Sequence, residues 1–263
     1  MTSQPARARR IAVLIPALDE EKALPLVLSE IPPGLVDLVV VVDNGSRDRT
    51  AAVAREGGAL VVREERRGYG QACLAGLEVL LEGAQGVEPL GGEDVIVFLD
   101  ADYSDHPEEM SDLVGPLLSG GTDLVLGSRM MNEASRKALL PQARVGNRLA
   151  SILIRILFGV RYTDLGPFRA IRVDALRHLK MADRDFGWTV EMQLKAAVAG
   201  LHVREMPVRY RSRIGKSKIT GTLAGTVRAS QKILAWIIGW RLALLFTARR
   251  IPRFRESGRI ARR

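Results

Sequence analysis

Two carboxylates one residue apart, Asp100 and Asp102, end the apolar run Ile96-Val97-Phe98-Leu99 and are followed at once by Tyr103-Ser104-Asp105-His106-Pro107. Such a run reads as a strand buried on both faces of a parallel sheet. Ligands of open α/β sheets gather beyond the carboxyl ends of these strands. Hard oxygen ligands in that position suit Mg²⁺ or Mn²⁺ carrying a phosphate-bearing substrate. An Asp-rich turn after a strand would use the same residues, because Asp favours turns and helix caps. The pair therefore needs company before it means chemistry.

The elements around it supply that company. Strand and helix patterns alternate from residue 11 to about residue 128, with strands expected at 11–15, 38–42, 60–63, 95–99 and 123–126. Helical patterns fall between them, at 20–30, 48–56, 71–81 and 107–118. This order implies right-handed βαβ crossovers and an α/β fold with a mainly parallel, Rossmann-like central sheet flanked by helices. Three of its strand ends carry polar residues fit for a ligand: Pro16-Ala17-Leu18-Asp19, Asp43-Asn44-Gly45-Ser46 and Asp100-Ala101-Asp102. Parallel strands share one carboxyl edge, so the three clusters converge on one crevice.

Beyond residue 130 the alternation weakens. Residues 130–144 are polar and basic and read as a mobile loop. Apolar residues at helical spacing (Val145, Leu149, Ile152, Leu153, Ile156, Leu157) predict an amphipathic helix over 145–158, explained equally by core packing and by contact with a bilayer. A helix follows at 187–199 and a strand or strand pair at 203–210. Residues 233–246 are strongly apolar but interrupted by Arg241 and shorter than the roughly 20 residues that span a bilayer, which favours a packed or interfacial helix.

Composition narrows the function classes. With 263 residues, 47% hydrophobic and 26% charged, the chain suits one large domain, 11–232, between a basic flexible segment, 1–10, and an apolar helix with an Arg-rich tail, 233–263. A single cysteine, Cys73, excludes an intrachain disulfide, and three scattered histidines exclude a zinc-type cluster. The first ten residues lack the apolar core of a signal peptide, so a cytoplasmic location is expected. Net charge is +9, and the tail carries Arg249, Arg250, Arg253, Arg255, Arg259, Arg262 and Arg263 against one acid, Glu256. That run attracts anionic surfaces or solubilises the chain. Aromatic content of 5% argues against a base-stacking platform, and no nucleic acid partner is expected.

The motifs in their order resemble the inverting glycosyltransferases of family 2, which have the GT-A fold. They are Val13-Leu14-Ile15-Pro16-Ala17-Leu18-Asp19-Glu20-Glu21, Val41-Val42-Asp43-Asn44-Gly45-Ser46-Arg47-Asp48-Arg49-Thr50, Leu99-Asp100-Ala101-Asp102, Leu126-Gly127-Ser128-Arg129, Asp164-Leu165-Gly166-Pro167-Phe168-Arg169 and Arg211-Ser212-Arg213-Ile214-Gly215-Lys216-Ser217-Lys218. Each motif alone is weak; six in the family's order, over residues 10–235, are specific. The similarity is greatest to the branch of polyprenyl-phosphate sugar synthases.

The resemblance implies transfer of a hexose from a nucleoside diphosphate sugar, with inversion, using Mg²⁺ or Mn²⁺ at Asp100 and Asp102. It assigns Pro16, Ala17 and Asp19 to the donor's base and ribose and Glu20 to the donor contacts, with Asp43 accepting from an imino group of uracil or guanine. Gly45 and Ala101 join the donor contacts, and UDP is favoured over GDP. Asp43 as a plain turn residue remains open. Gly68-Tyr69-Gly70 would let backbone approach the donor or simply start a helix, and many family members carry Lys where Tyr69 stands. Arg129, Arg169, Arg211, Arg213 and Lys216 are candidate phosphate clamps, Arg213 as part of the catalytic set. Arg129, Arg169 and Trp188 would meet the acceptor. A polyprenyl phosphate needs no base because it is already ionised, whereas a hydroxyl acceptor would call on Asp185 or Glu191. A lipid acceptor also implies peripheral contact with the inner face of a membrane; a homodimer stays open.

Two other readings compete. A sugar-phosphate nucleotidyltransferase shares the nucleotide-binding half, but Pro16-Ala17-Leu18-Asp19-Glu20 lacks the glycine expected of its phosphate loop. A non-enzymatic basic adaptor for membrane or nucleic acid leaves the acids at three strand ends unexplained.

Overall fold

The computed structural model describes residues 9–215, 223–246 and 254. Segments 1–8 and 247–253, the tail arginines beyond 254, and Lys216 and Lys218 lie outside the described residues.

The first half follows the alternating pattern. Strands β1 (Ile11–Ala17), β2 (Leu38–Asp43), β3 (Leu60–Arg63) and β4 (Val95–Phe98) are separated by helices α1 (Leu24–Ser29), α2 (Thr50–Glu56) and α3 (Tyr69–Glu82). All four strands are parallel, with β1 in the middle of β2 and β4. Their Val, Ile and Leu side chains are apolar on both faces, as a strand covered by helices on either side requires. Helix α4 (Met110–Leu118) leads into β5 (Leu124–Ser128).

The second half departs from the expectation in three places. The 130–144 segment is not a loop throughout: α5 (Glu133–Ala138) forms there and α6 (Pro141–Phe158) begins four residues earlier than the apolar spacing suggests. The side chain of Asn132 caps α5 by accepting from the Ser135 amide, and Ser135 Oγ in turn donates to the Val208 carbonyl at 3.0 Å. A short strand, β6 (Arg169–Arg172), followed by α7 (Val173–Leu179), fits between β4 and β5 and runs antiparallel to both. After α8 (Trp188–Ala199), a single strand β7 (Val203–Pro207) pairs with β5 and stops at proline. The last described helix, α9 (Leu223–Phe246), is longer than the apolar run at 233–246. Among the described residues, no helix is long and apolar enough to cross a membrane.

The result is one seven-stranded, mostly parallel sheet in the order β3-β2-β1-β4-β6-β5-β7. One face is covered by α1, α2 and α4, through Leu24, Val27, Ala54, Met110 and Leu113. The other is covered by α3, α6, α7 and α8, with Ile237 of α9 packed against them. Burial of each large apolar side chain contributes roughly 1.5–3 kcal/mol. Register fixes where chemistry can happen: Ala17 sits beside Asp43, and Leu14 beside Phe98, so the ends of β1, β2 and β4 open on one edge.

Candidate active site

That edge holds a cavity of about 930 Å³, its open mouth included. The first strand end contributes Pro16, Ala17, Leu18 and Glu20 to its wall, and the fourth contributes Asp100, Ala101 and Asp102. Asp185, Phe186 and Arg213 reach it from the second half of the chain. Residues more than 190 positions apart thus meet in one crevice.

The acids dominate its electrostatics. Burial first, and then the charge of Asp102, pushes the Asp100 carboxyl up to about 7, against the opposing pull of Arg213 and of the Tyr69 hydroxyl, which donates to Asp100 Oδ1 at 3.1 Å. Arg213 Nη2 stands 2.5 Å from Asp102 Oδ2. Burial disfavours its charge, but the two carboxylates outweigh that effect and raise the guanidinium further. A third acid, Asp105, is buried with neither carboxylate oxygen in a well-formed side-chain hydrogen bond. Burial and then the charges of Asp100 and Asp102 push it well above the carboxylate range, against the opposing pull of the Arg129 charge and the Asp100 amide.

Among the described residues, no three His, Cys, Asp or Glu side chains are grouped so as to hold a metal by themselves. The Asp100–Asp102 pair nevertheless fits Mg²⁺ or Mn²⁺. It concentrates negative charge on the cavity wall, and such cations complete their shell with substrate phosphates and water.

The second strand end plays a supporting part. Asp43 Oδ1 accepts from the Ser46 amide at 2.9 Å, the bond of a turn residue, and neither Asp43 nor Gly45 is on the cavity wall. Asp19, at φ 52°, accepts from the Arg47 amide and stands over a neighbouring hollow with Glu20 and Gly215. Asn44, one residue on, does reach the cavity. Its amide donates to the carbonyls of Glu64 and Arg66, and its oxygen accepts from the Gly68 amide. This ties the 64–68 loop to the strand end and brings Arg67, Gly68 and Tyr69 to the wall.

Gly68 and Gly70 do allow a close approach, but the partner is the chain's own backbone. A Cβ at either position would lie 2.1 Å from a carbonyl oxygen, of Arg184 and Asp183 respectively. The amides of Gly70 and Gln71 donate to Asp185 and Arg184 carbonyls across the same contact.

Five sequence candidates occupy other places. Glu191 is fully buried and works as a structural anchor: it accepts from the amides of Ala182 and Asp183 and pairs with Lys195 at 2.7 Å. No acceptor proton can reach it without unfolding that turn. Trp188 is a core residue, tilted against Phe98 with ring centroids 6.1 Å apart, and so offers no surface to an acceptor. Arg169 is buried beneath the site, donating to the carbonyls of Thr189 and Gly166, and burial lowers its guanidinium to about 10. Arg129 is clamped by Asp164 through its amide, Nε and Nη2, each at 2.8 Å. Arg211, likewise, is engaged by Glu30 and by the ring of Tyr103.

Asp185 is the acid of this region that lines the cavity, with Lys232 of α9 2.8 Å away. Its backbone is set by Asp183, which accepts from the amides of Asp185 and Gly187. Phe186, Asn44 and Arg67 were not singled out by sequence. Their signals were adjacency to Asp185, to the end of β2 and to Gly68.

Known proteins resemble the chain in sequence and fold. The chain is 38% identical over 220 residues to an uncharacterized glycosyltransferase of Mycobacterium tuberculosis, covering 83% of this chain and 94% of that one. It is 30% identical over 247 residues to the polyprenol monophosphomannose synthase of Mycolicibacterium smegmatis, covering 89% of each. Among solved structures, glucosyl-3-phosphoglycerate synthase from M. tuberculosis in complex with Mn²⁺, UDP-glucose and glycerol 3-phosphate superposes with a TM-score of 0.66 at 25% identity, over 89% of this chain and 80% of the other. The mostly parallel sheet with flanking helices is thus a GT-A fold. The model of the glycosyl transferase family 2 matches residues 12–180, which span β1, the acid pair of the cavity and the Arg129–Asp164 clamp, and the chain is a glycosyltransferase belonging to that family.

Proposed function

We propose that the protein transfers a hexose, with inversion, from a UDP-sugar to a polyprenyl phosphate, using Mg²⁺ or Mn²⁺ at Asp100 and Asp102. The observation that carries the reading is the acid pair on the cavity wall, with one carboxyl raised to about 7 and Arg213 beside the other. The relative named a polyprenol monophosphomannose synthase supports the acceptor, and the neighbour crystallised with Mn²⁺ and UDP-glucose supports the donor and cation.

Asp100 and Asp102 would hold the cation, which when bound supplies Lewis-acid neutralisation of charge on the departing diphosphate. Tyr69 orients Asp100 through its hydroxyl. Arg213, on the wall beside Asp102, would offer a guanidinium fork to a diphosphate oxygen. Pro16, Ala17 and Leu18 form an apolar shelf suited to a base, with Asn44 and Arg67 at its rim. An acceptor phosphate arrives ionised, so no proton need be removed. Asp185, at the wall with Lys232, then serves to place the acceptor rather than to take a proton.

The test is release of UDP from UDP-glucose or UDP-mannose in the presence of a short polyprenyl phosphate. Transfer should require Mn²⁺ or Mg²⁺, stop with EDTA and fall by about 10³-fold in Asp102→Ala. Transfer that persists in both conditions would contradict the proposal.

A further inference from the structure

Helix α6 carries a stripe that the core does not use. Its inward side, Ala150 and Ile154, is buried, yet Val145, Leu149, Ile152 and Ile156 are 69%, 46%, 45% and 70% exposed. Their spacing of four, three and four residues places them in one row along the helix. The row beside it holds Arg144, Arg148 and Arg155, none of which is ion-paired with a described residue. The exposed side chains of Leu140 and Met131 lie in the chain just before the helix. Residues 134–163 contain no acid and six cations: Arg136, Lys137, Arg144, Arg148, Arg155 and Arg161.

An apolar row of four large side chains next to an arginine row, in a segment free of acids, matches an anionic lipid surface. The aliphatic groups enter the acyl boundary while the guanidinium groups meet headgroup phosphates. A second protein copy would fit the apolar row but would have to bring six like charges together. We infer that α6 lies in the plane of an anionic bilayer and is the membrane-docking face of this enzyme.

The placement has a consequence for the site. Asn147, on the opposite flank of α6, donates to the Thr163 carbonyl at 3.1 Å and accepts from the Leu165 amide at 2.9 Å. Asp164, between them, holds Arg129. The helix is therefore fastened to the segment that supports the cavity's neighbouring cation, and docking would hold that side of the site at the lipid surface. The docking face itself stands independently of the acceptor proposed above.

The experiment is co-sedimentation of the full chain with vesicles of phosphatidylcholine alone or mixed with phosphatidylglycerol. The wild type should bind the anionic vesicles selectively, and less as salt rises. Arg144→Gln/Arg148→Gln/Arg155→Gln should weaken partitioning by about 100-fold, and Ile152→Glu/Ile156→Glu should abolish it. Both variants should keep the wild-type circular dichroism and the cation-dependent release of UDP from a UDP-sugar in solution. If that release fails in the wild type while vesicle binding behaves as described, the function proposed above falls and the docking face stands. Wild-type vesicle binding by both variants would assign the membrane contact to other basic segments and overturn the inference. A wild-type dimer that Ile152→Glu/Ile156→Glu converts to monomer, with no vesicle binding by either, would assign the stripe to a second copy and overturn it equally.

Discussion

Two arginine–aspartate pairs, on and behind the cavity wall, use the same groups to opposite ends. Arg129 and Asp164 share three hydrogen bonds; Asp164 is almost wholly buried and also accepts from the Leu165 amide. Burial opposes the charge of each, but each partner's opposite charge outweighs it, lowering Asp164 and raising Arg129. Arg213 Nη2 meets Asp102 Oδ2 at 2.5 Å while Asp102 Oδ1 accepts from the Ser104 amide, and Arg213 remains about a third exposed on the wall. The first pair is saturated and fixes a backbone segment. The second lies on the wall with Arg213 partly exposed, facing space where a ligand fits. What separates the structural pair from the one proposed to act is exposure to the cavity, since distance and charge are nearly alike.

Breaking the saturated pair should therefore cost folding. Asp164→Ala leaves Arg129 buried with no counter-charge, and unfolding in urea should show a loss of about 3–5 kcal/mol. Asp102→Ala relieves crowding of acids instead, so its stability in the same assay should stay close to the wild type while transfer is lost. Equal destabilisation by the two substitutions would erase the distinction.

An intermediate case sharpens it. Arg211 bonds to Glu30 and the carbonyls of Tyr103 and Asp105, fastening the loop after the acid pair. The Arg211 hydrogen bond, opposed by desolvation, lowers Glu30 from its ordinary 4.5 to about 2. A carboxyl lowered on folding stabilises above its unfolded value and loses that contribution as pH falls through its folded one. The stabilisation is thus complete above about pH 4.5 and disappears towards pH 2. Arg211→Gln should cost about 1.5–3 kcal/mol near neutrality and flatten the acid limb of the unfolding profile between those values.

How much of this was visible in the chain depends on which residues could be read locally. The strands β1 to β4 announce themselves through unbroken apolar runs, and their shared edge follows from parallel topology. The acid pair and Pro16 and Ala17 could therefore be placed on that edge from pattern alone. Strand β6 escaped because it has four residues, two of them arginine; only tertiary burial of Arg169 makes it a strand. Helix α5 escaped because its signal is a cap at Asn132 rather than an apolar period. Glu191 and Trp188 misled because residue type does not reveal which way a helix turns its faces. Lys195, four residues after Glu191, was the available hint of an internal ion pair. The GT-A architecture was legible; the sorting of arginines into buried and cavity-facing was not, because it rests on contacts between segments far apart in sequence.

The smallest expected effect concerns pH. With the Asp100 carboxyl at about 7, protons compete with a cation for the same oxygens. Apparent Mn²⁺ affinity should fall about tenfold for each pH unit below that value and level off above it. Asp100→Asn should remove the dependence together with most of the affinity.

Titration calorimetry of UDP into the protein with Mn²⁺, for wild type and Asp102→Ala side by side, bears on the central claim most directly. The account predicts UDP binding that requires Mn²⁺ in the wild type and is lost in the variant, although the variant's thermal unfolding is unchanged. Mn²⁺-dependent UDP binding of equal affinity in both proteins would contradict it.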